Sequence, residues 1–422
     1  MTSATPTPPR SWYHRLVLVQ PGEGRPLGLA VLYFFLLLCS FYLLRPVRET
    51  LGIAKGAERL PWLMTGTLLV MLVANPAFAA LVSRWPRRRF IPATYRFFAL
   101  SFLAFFLGFR FGGGQTVALG YAFYIWLSVF NLFVVAVFWG YMADLWSRDQ
   151  GERLFGLMAL GGTLGAIAGA GLTEVLAGHG RLSPLSLLPL GALVLEGATR
   201  CALALADHYD LGHEAGGPQE PGPGLLEGLR LVFRSPLLGL LCAYMLLFTI
   251  TSTFLYLQQG QIVAATFKGM GERTAAFARI DRLTNLLAMG MQLFVTSRLI
   301  RGMGLRVVLL ILPLITLAGV GALAVSPVFP TLLAVMVVRR GLHYAVDRPA
   351  RELLYIPLSP DAKYKAKAFV DTFIFRAGDF LGVWTPTALA ALGLAVGPVA
   401  LGVSAAWLGS GWLLGKVQAP KG

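Results

Sequence analysis

Arg340, Tyr344, Asp347, Arg351 and Tyr355 recur at spacings of four, three, four and four. On a helix these spacings make one stripe, with Arg339 and His343 on a neighbouring face. Arginines so placed suit forked, charge-assisted hydrogen bonds to phosphate or carboxylate. Similar charges sit in other apolar stretches: Arg45 and Arg48, Arg96 beside Tyr95, Arg282 with Asp281 and Asn285, and Arg376 with Asp379. Arg376 and Asp379 can pair, and a competing anion or a proton on Asp379 would release the arginine, which itself stays charged. Asp281 and Arg282 are adjacent, so they need partners on other helices. Glu196 and Arg200, four apart, have the spacing of an intrahelical ion pair. Gln258, Gln259 and Gln261 add neutral donors and acceptors, and Tyr124, Trp126 and Trp139 offer faces on which a base could stack. Arg45 and Arg48 could equally snorkel to an interface. Asp347, Arg348, Arg351 and Glu352 could serve as gate salt bridges as readily as binding groups. Arg339 and Arg340 point more towards the substrate path.

The elements that must position these groups are membrane helices. The 422 residues are 56% hydrophobic and 13% charged, against about 25% charged in soluble domains. The sequence is therefore that of an all-α polytopic membrane protein. Twelve spans are expected at 27–45, 61–83, 90–110, 117–144, 155–177, 184–206, 236–258, 275–297, 306–324, 329–356, 368–390 and 396–415. The polar segment Arg339–Glu352 comes after only a short apolar run (Pro330–Val338), so it crosses only if its charges face water or protein. The net charge of +16 would suggest nucleic acid in a soluble chain. Here, with the termini cytoplasmic and residues towards the span ends counted with the segment they border, 21 basic residues fall on the inner side, 9 outside and 6 deeper within spans, as the positive-inside rule requires. No nucleic-acid partner is therefore expected.

Asp207 to Glu227 is polar and rich in Gly and Pro, and so reads as a linker between two halves. The expected organisation is a cytoplasmic tail (1–26), a six-helix half (27–206), a cytoplasmic linker (207–235), a second six-helix half (236–415) and a cytoplasmic tail (416–422). Ser83-Arg84 recurs at Ser297-Arg298, and Ser147 at Ser359, at offsets of 214 and 212. Such near-equal offsets indicate parallel repeats of the major-facilitator type, a 6+6 arrangement. Gly161, Gly165 and Gly169 form a small-residue face for close helix packing. They are not a phosphate loop, which needs Gly-Lys-Ser/Thr after a strand. Cys39, Cys201 and Cys242 lie in apolar runs without metal spacing, and the five histidines are scattered. No catalytic constellation, metal or cofactor is expected, and residues 1–26 lack a signal-peptide core.

One stretch carries a family likeness. Arg351-Glu352-Leu353-Leu354-Tyr355-Ile356-Pro357-Leu358-Ser359, with Lys363 to Asp371 after it, resembles the span 10–11 signature of the ATP/ADP translocases of plastids and intracellular bacteria. Leu44-Arg45-Pro46-Val47-Arg48-Glu49, Phe138-Trp139-Gly140 and the Gly-rich span 5 are similar too. The resemblance implies a major-facilitator-like fold and nucleotide transport. The family's span 1 Lys falls on Arg48, its span 4 Glu near Tyr124, its span 7 Glu near Gln258 and its span 11 Lys on Asp379. Charge is thus kept at one position, lost at two and reversed at one.

These readings converge on a secondary transporter of an organic anion, most simply a nucleotide by ATP/ADP-type antiport, working by alternating access. The substrate-binding residues are Arg45, Arg48, Arg96, Tyr124, Gln258, Arg282, Asn285, Arg340, Arg376 and Asp379. The inner gate is Asp347, Arg348, Arg351 and Glu352. A monomer in a bacterial inner membrane is expected. The alternatives are a proton-coupled carrier of another phosphorylated or carboxylate anion, and a non-transporting scaffold or sensor with a soluble partner.

Overall fold

The computed structural model describes residues 19–112, 116–209, 235–356, 359, 363, 366–367 and 369–417. Most of the expected linker, both tails and part of the Lys-rich turn lie outside the described residues, as do the side chains of 76–84 and of 372. Twelve helices order the described chain, with no strand among them. In the first half they are α1 (Gly24–Gly52), α2 (Leu60–Arg84), α3 (Arg87–Phe111), α4 (Thr116–Leu145), α5 (Arg148–Gly178) and α6 (Leu187–His208). In the second they are α7 (Pro236–Thr266), α8 (Met270–Phe294), α9 (Thr296–Val325), α10, α11 and α12 (Val396–Val417). α10 runs Phe329–Leu342, through a π-helical turn at His343–Asp347, to Arg348–Leu353. α11 opens with a second π-helical turn, Val370–Ile374, and continues as Phe375–Ala391.

Local chemistry sets the ends. Pro61, Pro236 and Pro330 stand in first turns, where a missing N–H costs nothing. Ser147 and Gln150 make a reciprocal capping box that starts α5, with Gln150 Oε1 accepting from the Ser147 N–H at 3.0 Å. Gly304, at φ +73°, breaks α9 eight residues after its start. α1 does not stop at residue 45: it runs through Pro46 to Gly52, so Arg45 and Arg48 both sit within its last two turns. Thr50 Oγ1 takes up the Pro46 carbonyl at 2.9 Å.

Nine helices among the described residues are long and apolar enough to span a bilayer by themselves. The three that are not, α8, α10 and α11, each carry charges within their spans. They cross because their polar faces turn inward onto protein and cavity.

Each half has its own core. Phe34, Tyr95, Phe130, Phe138 and Leu195 belong to the first, and Leu241, Met245, Val346, Phe369 and Trp407 to the second. The glycine face of α5 lies against α1 so closely that a Cβ on Gly165 would stand 2.1 Å from the Phe35 carbonyl oxygen, and one on Gly169 2.4 Å from that of Cys39. A third cluster belongs to both halves, joining Ile53, Leu60 and Tyr124 to Phe254, Phe277 and Ile280. It lies at the face away from the chain termini, the far face. Here the ends of α1, α5 and α7 meet the starts of α2 and α8. The halves are therefore closed against each other at the far face.

Candidate functional site

A cavity of about 430 Å³ lies between the halves, walled by α1, α2, α4, α7, α10 and α11. That volume falls in the usual range for small-molecule sites, about 300–1,000 Å³. Five arginines line it, Arg45, Arg48, Arg339, Arg340 and Arg376, against two carboxylates, Glu49 and Asp379. Charges at this depth persist only where they are solvated by protein, paired or used.

Two clusters close the cavity towards the far face. Asp281 of α8, 3% exposed, places Oδ1 2.6 Å from Arg45 Nη1 and 2.9 Å from Arg340 Nη2. The first contact is a hydrogen bond that crosses the halves. The second is close but misaligned, and Arg340 Nη2 is buried without a hydrogen bond. The adjacent cluster begins at Arg48, whose guanidinium stacks 4.1 Å above the Tyr124 ring and whose Nε donates to the Tyr124 carbonyl at 3.1 Å. Its Nη1 lies 3.2 Å from Glu49 Oε1. The Tyr256 hydroxyl, from the other half, lies 2.5 Å from Glu49 Oε2 and 2.7 Å from the Tyr124 hydroxyl.

Arg339 differs from the other four. It is 3% exposed, and its guanidinium donates to two neutral oxygens, Ser252 Oγ at 2.5 Å and Thr316 Oγ1 at 3.2 Å. Its flank is the Phe248 ring, at 5.5 Å. It makes no ion pair with a described carboxylate. On α11, Arg376 Nη1 stands 3.7 Å from Asp379 Oδ2 and its Nη2 3.4 Å from the Met71 sulfur. Asp379 Oδ1 accepts from Thr253 Oγ1 at 3.4 Å.

The expected stripe along α10 does not stay in register. The π-helical turn at His343–Asp347 adds to the helical repeat and rotates the C-terminal part of the helix. Arg340 consequently faces Asp281 and the cavity. Asp347 faces the core of the second half, where it accepts from the Tyr244 hydroxyl at 2.7 Å and from Arg351 Nε at 3.0 Å. Arg351 also touches the Met245 sulfur. His343 stays at the cavity wall, stacked on Phe248 at 4.5 Å, with Nδ1 3.1 Å from Asp347 Oδ2.

Of the ten expected binding residues, Arg45, Arg48, Tyr124, Arg340, Arg376 and Asp379 line the cavity, and four do not. Arg96 makes a two-pronged pair with Glu196 at 3.2 Å on an exposed outer surface, and Arg200 joins the same carboxylate at 3.4 Å. Arg282 is engaged by Glu174 of α5. Asn285 caps the Asp281 carbonyl and borders a separate small cleft. Gln258 lies beside the cavity, whereas its neighbour Gln259 lines it, one residue of helix being a rotation of about 100°. The expected gate residues Asp347 and Arg351 bond within the second half, as does Glu352, whose Oε2 is 2.8 Å from Lys367 Nζ. Arg348 borders the small cleft with Tyr42 and Thr163. Among the described residues, the ion pairs that cross the halves lie towards the far face: Arg45–Asp281, and Glu174 with Arg279 and Arg282. Arg339, Glu49, Tyr256 and Gln259 complete the site. Among the described residues, no three His, Cys, Asp or Glu side chains gather as a metal centre.

Two six-helix halves enclosing a central polar cavity are the architecture of the major-facilitator fold. Solved structures bear this out. The chain superposes on a nucleoside transporter, NupG, with a TM-score of 0.62 over 93% of its length and 98% of the other's, at 12% identity. It matches an auto-inhibited POT family peptide transporter with a TM-score of 0.61 over 94% and 97%, at 13% identity. A bacterial homologue of the human lysosomal transporter Spinster, inward-facing and unoccupied, gives 0.58 over 94% and 95%, at 12%. No protein-family model and no curated relative match the sequence. The chain has the major-facilitator fold, and similarity at this identity carries the fold alone.

Proposed function

We propose that this chain is a secondary transporter that carries an organic anion by alternating access, with a nucleotide as the first candidate. The observation that carries the reading is Arg339, a buried cation held by neutral oxygens at the wall of a cavity lined by five arginines. A buried charge with no directly paired carboxylate among the described residues is costly, and a substrate anion would supply a direct partner. The proposed binding residues are Arg48, Tyr124, Arg339, Arg340, Arg376, Tyr256 and Gln259. Arg48, stacked on the buried Tyr124 ring, is held at the cavity wall as a cation suited to the phosphates of a nucleotide.

Binding and gating are coupled through shared arginines. Asp281 holds Arg45 and Arg340 in the far-closed state. An anion entering from the termini face competes with Asp281 for these two guanidinium groups and loosens the far closure. The two halves then rock, and the cavity opens on the other side. Asp347, Arg348, Arg351 and Glu352 stand at the termini end, where they can close the cavity in the opposite state. We place the protein in a bacterial inner membrane as a monomer with both termini cytoplasmic, halved at residues 207–235.

A second reading has its own observation. Asp379, hydrogen-bonded to Thr253 and paired only loosely with Arg376, is positioned to bind a proton and free Arg376 for the substrate. Proteoliposomes test both. Exchange of internal for external labelled ATP or ADP, indifferent to an imposed pH gradient, supports nucleotide antiport. Uptake of another anion driven by the gradient supports proton coupling. No movement of any phosphorylated or carboxylate anion rejects the proposal.

A further inference from the structure

A second cavity, of about 860 Å³, lies outside the central site in the seam between α5 and α8 at the far face. Glu174 of α5 reaches across it to α8. Its Oε1 is 2.8 Å from Arg279 Nε, and its Oε2 is 2.7 Å from Arg282 Nε. The carboxylate is nearly covered, at 13% side-chain exposure, whereas Arg279 and Arg282 keep 51% and 34%. Each guanidinium therefore uses one N–H on Glu174 and retains others facing the cavity. The remaining acid at the rim, Glu272, is occupied in capping α8 through the Gly269 N–H at 3.1 Å. Beside the arginines, α5 exposes an apolar strip, with Leu172 and Val175 at 45% and 43%.

Depth decides what can reach this seam. α5 has 31 residues, about 46 Å of helix against about 30 Å of hydrocarbon, so about 8 Å emerges at each end. Glu174 lies four residues from the end of α5, about 6 Å in, which is headgroup depth. Arginine side chains on α8 lean towards its N-terminus, the same far face. Two partly free guanidinium groups at headgroup depth, bordered by an exposed apolar strip, match a phosphodiester with an attached acyl chain.

We infer that the α5–α8 seam is a site for an anionic phospholipid, whose phosphate binds Arg279 and Arg282 in competition with Glu174. The Glu174 bridges cross the halves, so lipid bound here loosens the far closure. Occupancy of the far leaflet by anionic lipid thereby shifts the carrier towards its far-open state. The site is independent of what the central cavity carries.

The test is native mass spectrometry of the full chain taken from vesicles of phosphatidylcholine with or without phosphatidylglycerol. The wild type should retain phosphatidylglycerol. Arg279→Gln with Arg282→Gln should lower retention about fivefold per arginine, and Glu174→Gln, which frees both guanidinium groups, should raise it. Equal retention by wild type and double variant, or no gain in Glu174→Gln, overturns the proposal. If the double variant does not fold, Glu174→Gln decides alone. Inorganic phosphate in detergent is the control for the ligand's source: thermal stabilisation equal to that given by the lipid would assign the site to free phosphate and overturn the lipid.

Discussion

Asp281→Asn separates the two jobs assigned to the Arg45–Asp281–Arg340 triad. The carboxylate touches one arginine from each half, at 2.6 and 2.9 Å. With charge centres about 4 Å apart and an effective dielectric near 20, each pair is worth about 4 kcal/mol before desolvation. Only the Arg45 contact spans the halves, so only that contact is broken when the far face opens. Net of desolvation, a charged hydrogen bond contributes about 1.5–3 kcal/mol. Losing it should shift the balance about tenfold to about 150-fold towards the far-open state. The same change leaves the cavity one unit more positive, so its affinity for anions should rise. Spin labels at Arg181→Cys and Lys268→Cys, exposed far-face positions on opposite halves, would report the opening as a longer distance. The native Cys39, Cys201 and Cys242 are buried and contribute little background. An unchanged far-face distance together with unchanged anion affinity, in a folded variant, would refute the coupling.

Three further outcomes are expected. Arg339→Gln removes a buried cation held by neutral oxygens, so calorimetry should show anion affinity falling about tenfold or more while thermal stability holds or rises. Gly169→Ala must push α1 away from the Cys39 carbonyl and should lower stability by on the order of 1–3 kcal/mol, whereas Gly156→Ala meets nothing within 4 Å and should be neutral or stabilising in thermal unfolding. Glu23, just before α1, is bonded by Arg153, which holds its carboxyl down to about 2 from 4.5. A depressed carboxyl contributes stability in full above its unfolded value and loses it as the pH falls through the folded one. The stability gap between wild type and Glu23→Gln, tracked by thermal unfolding, should thus hold near neutrality and shrink between about pH 4.5 and about pH 2.

Hydropathy makes the architecture legible because a bilayer forces each crossing to be long and apolar, and nine of the twelve helices meet that rule unaided. The other three had to be read through their charges, and there one-dimensional spacing loses its hold. A π-helical turn at His343–Asp347 divides a stripe that looks continuous in sequence, sending Arg340 to the cavity and Asp347 into a core. Gln258 and Gln259 differ by about 100° of helix, too fine for a motif match to settle. Arg96 is deep in its span by sequence, yet Glu196 holds it on an outer surface, because the partner sits on another helix. Adjacent charges at Asp281–Arg282 did announce partners elsewhere, but not that Asp281 faces Arg45 while Arg282 faces Glu174. Arg339 stood one residue from the stripe, and its special character, a buried cation with no ion pair to a described carboxylate, is a property of packing that spacing does not encode.

In the proposed function the cavity selects its ligand by negative charge. Titration of the purified protein with adenosine, AMP, ADP and ATP, by calorimetry in one detergent and one salt concentration, tests it directly. Affinity should be negligible for the nucleoside, rise with each added phosphate and fall in Arg339→Gln. Adenosine binding as tightly as ATP, or an affinity indifferent to Arg339, would contradict it.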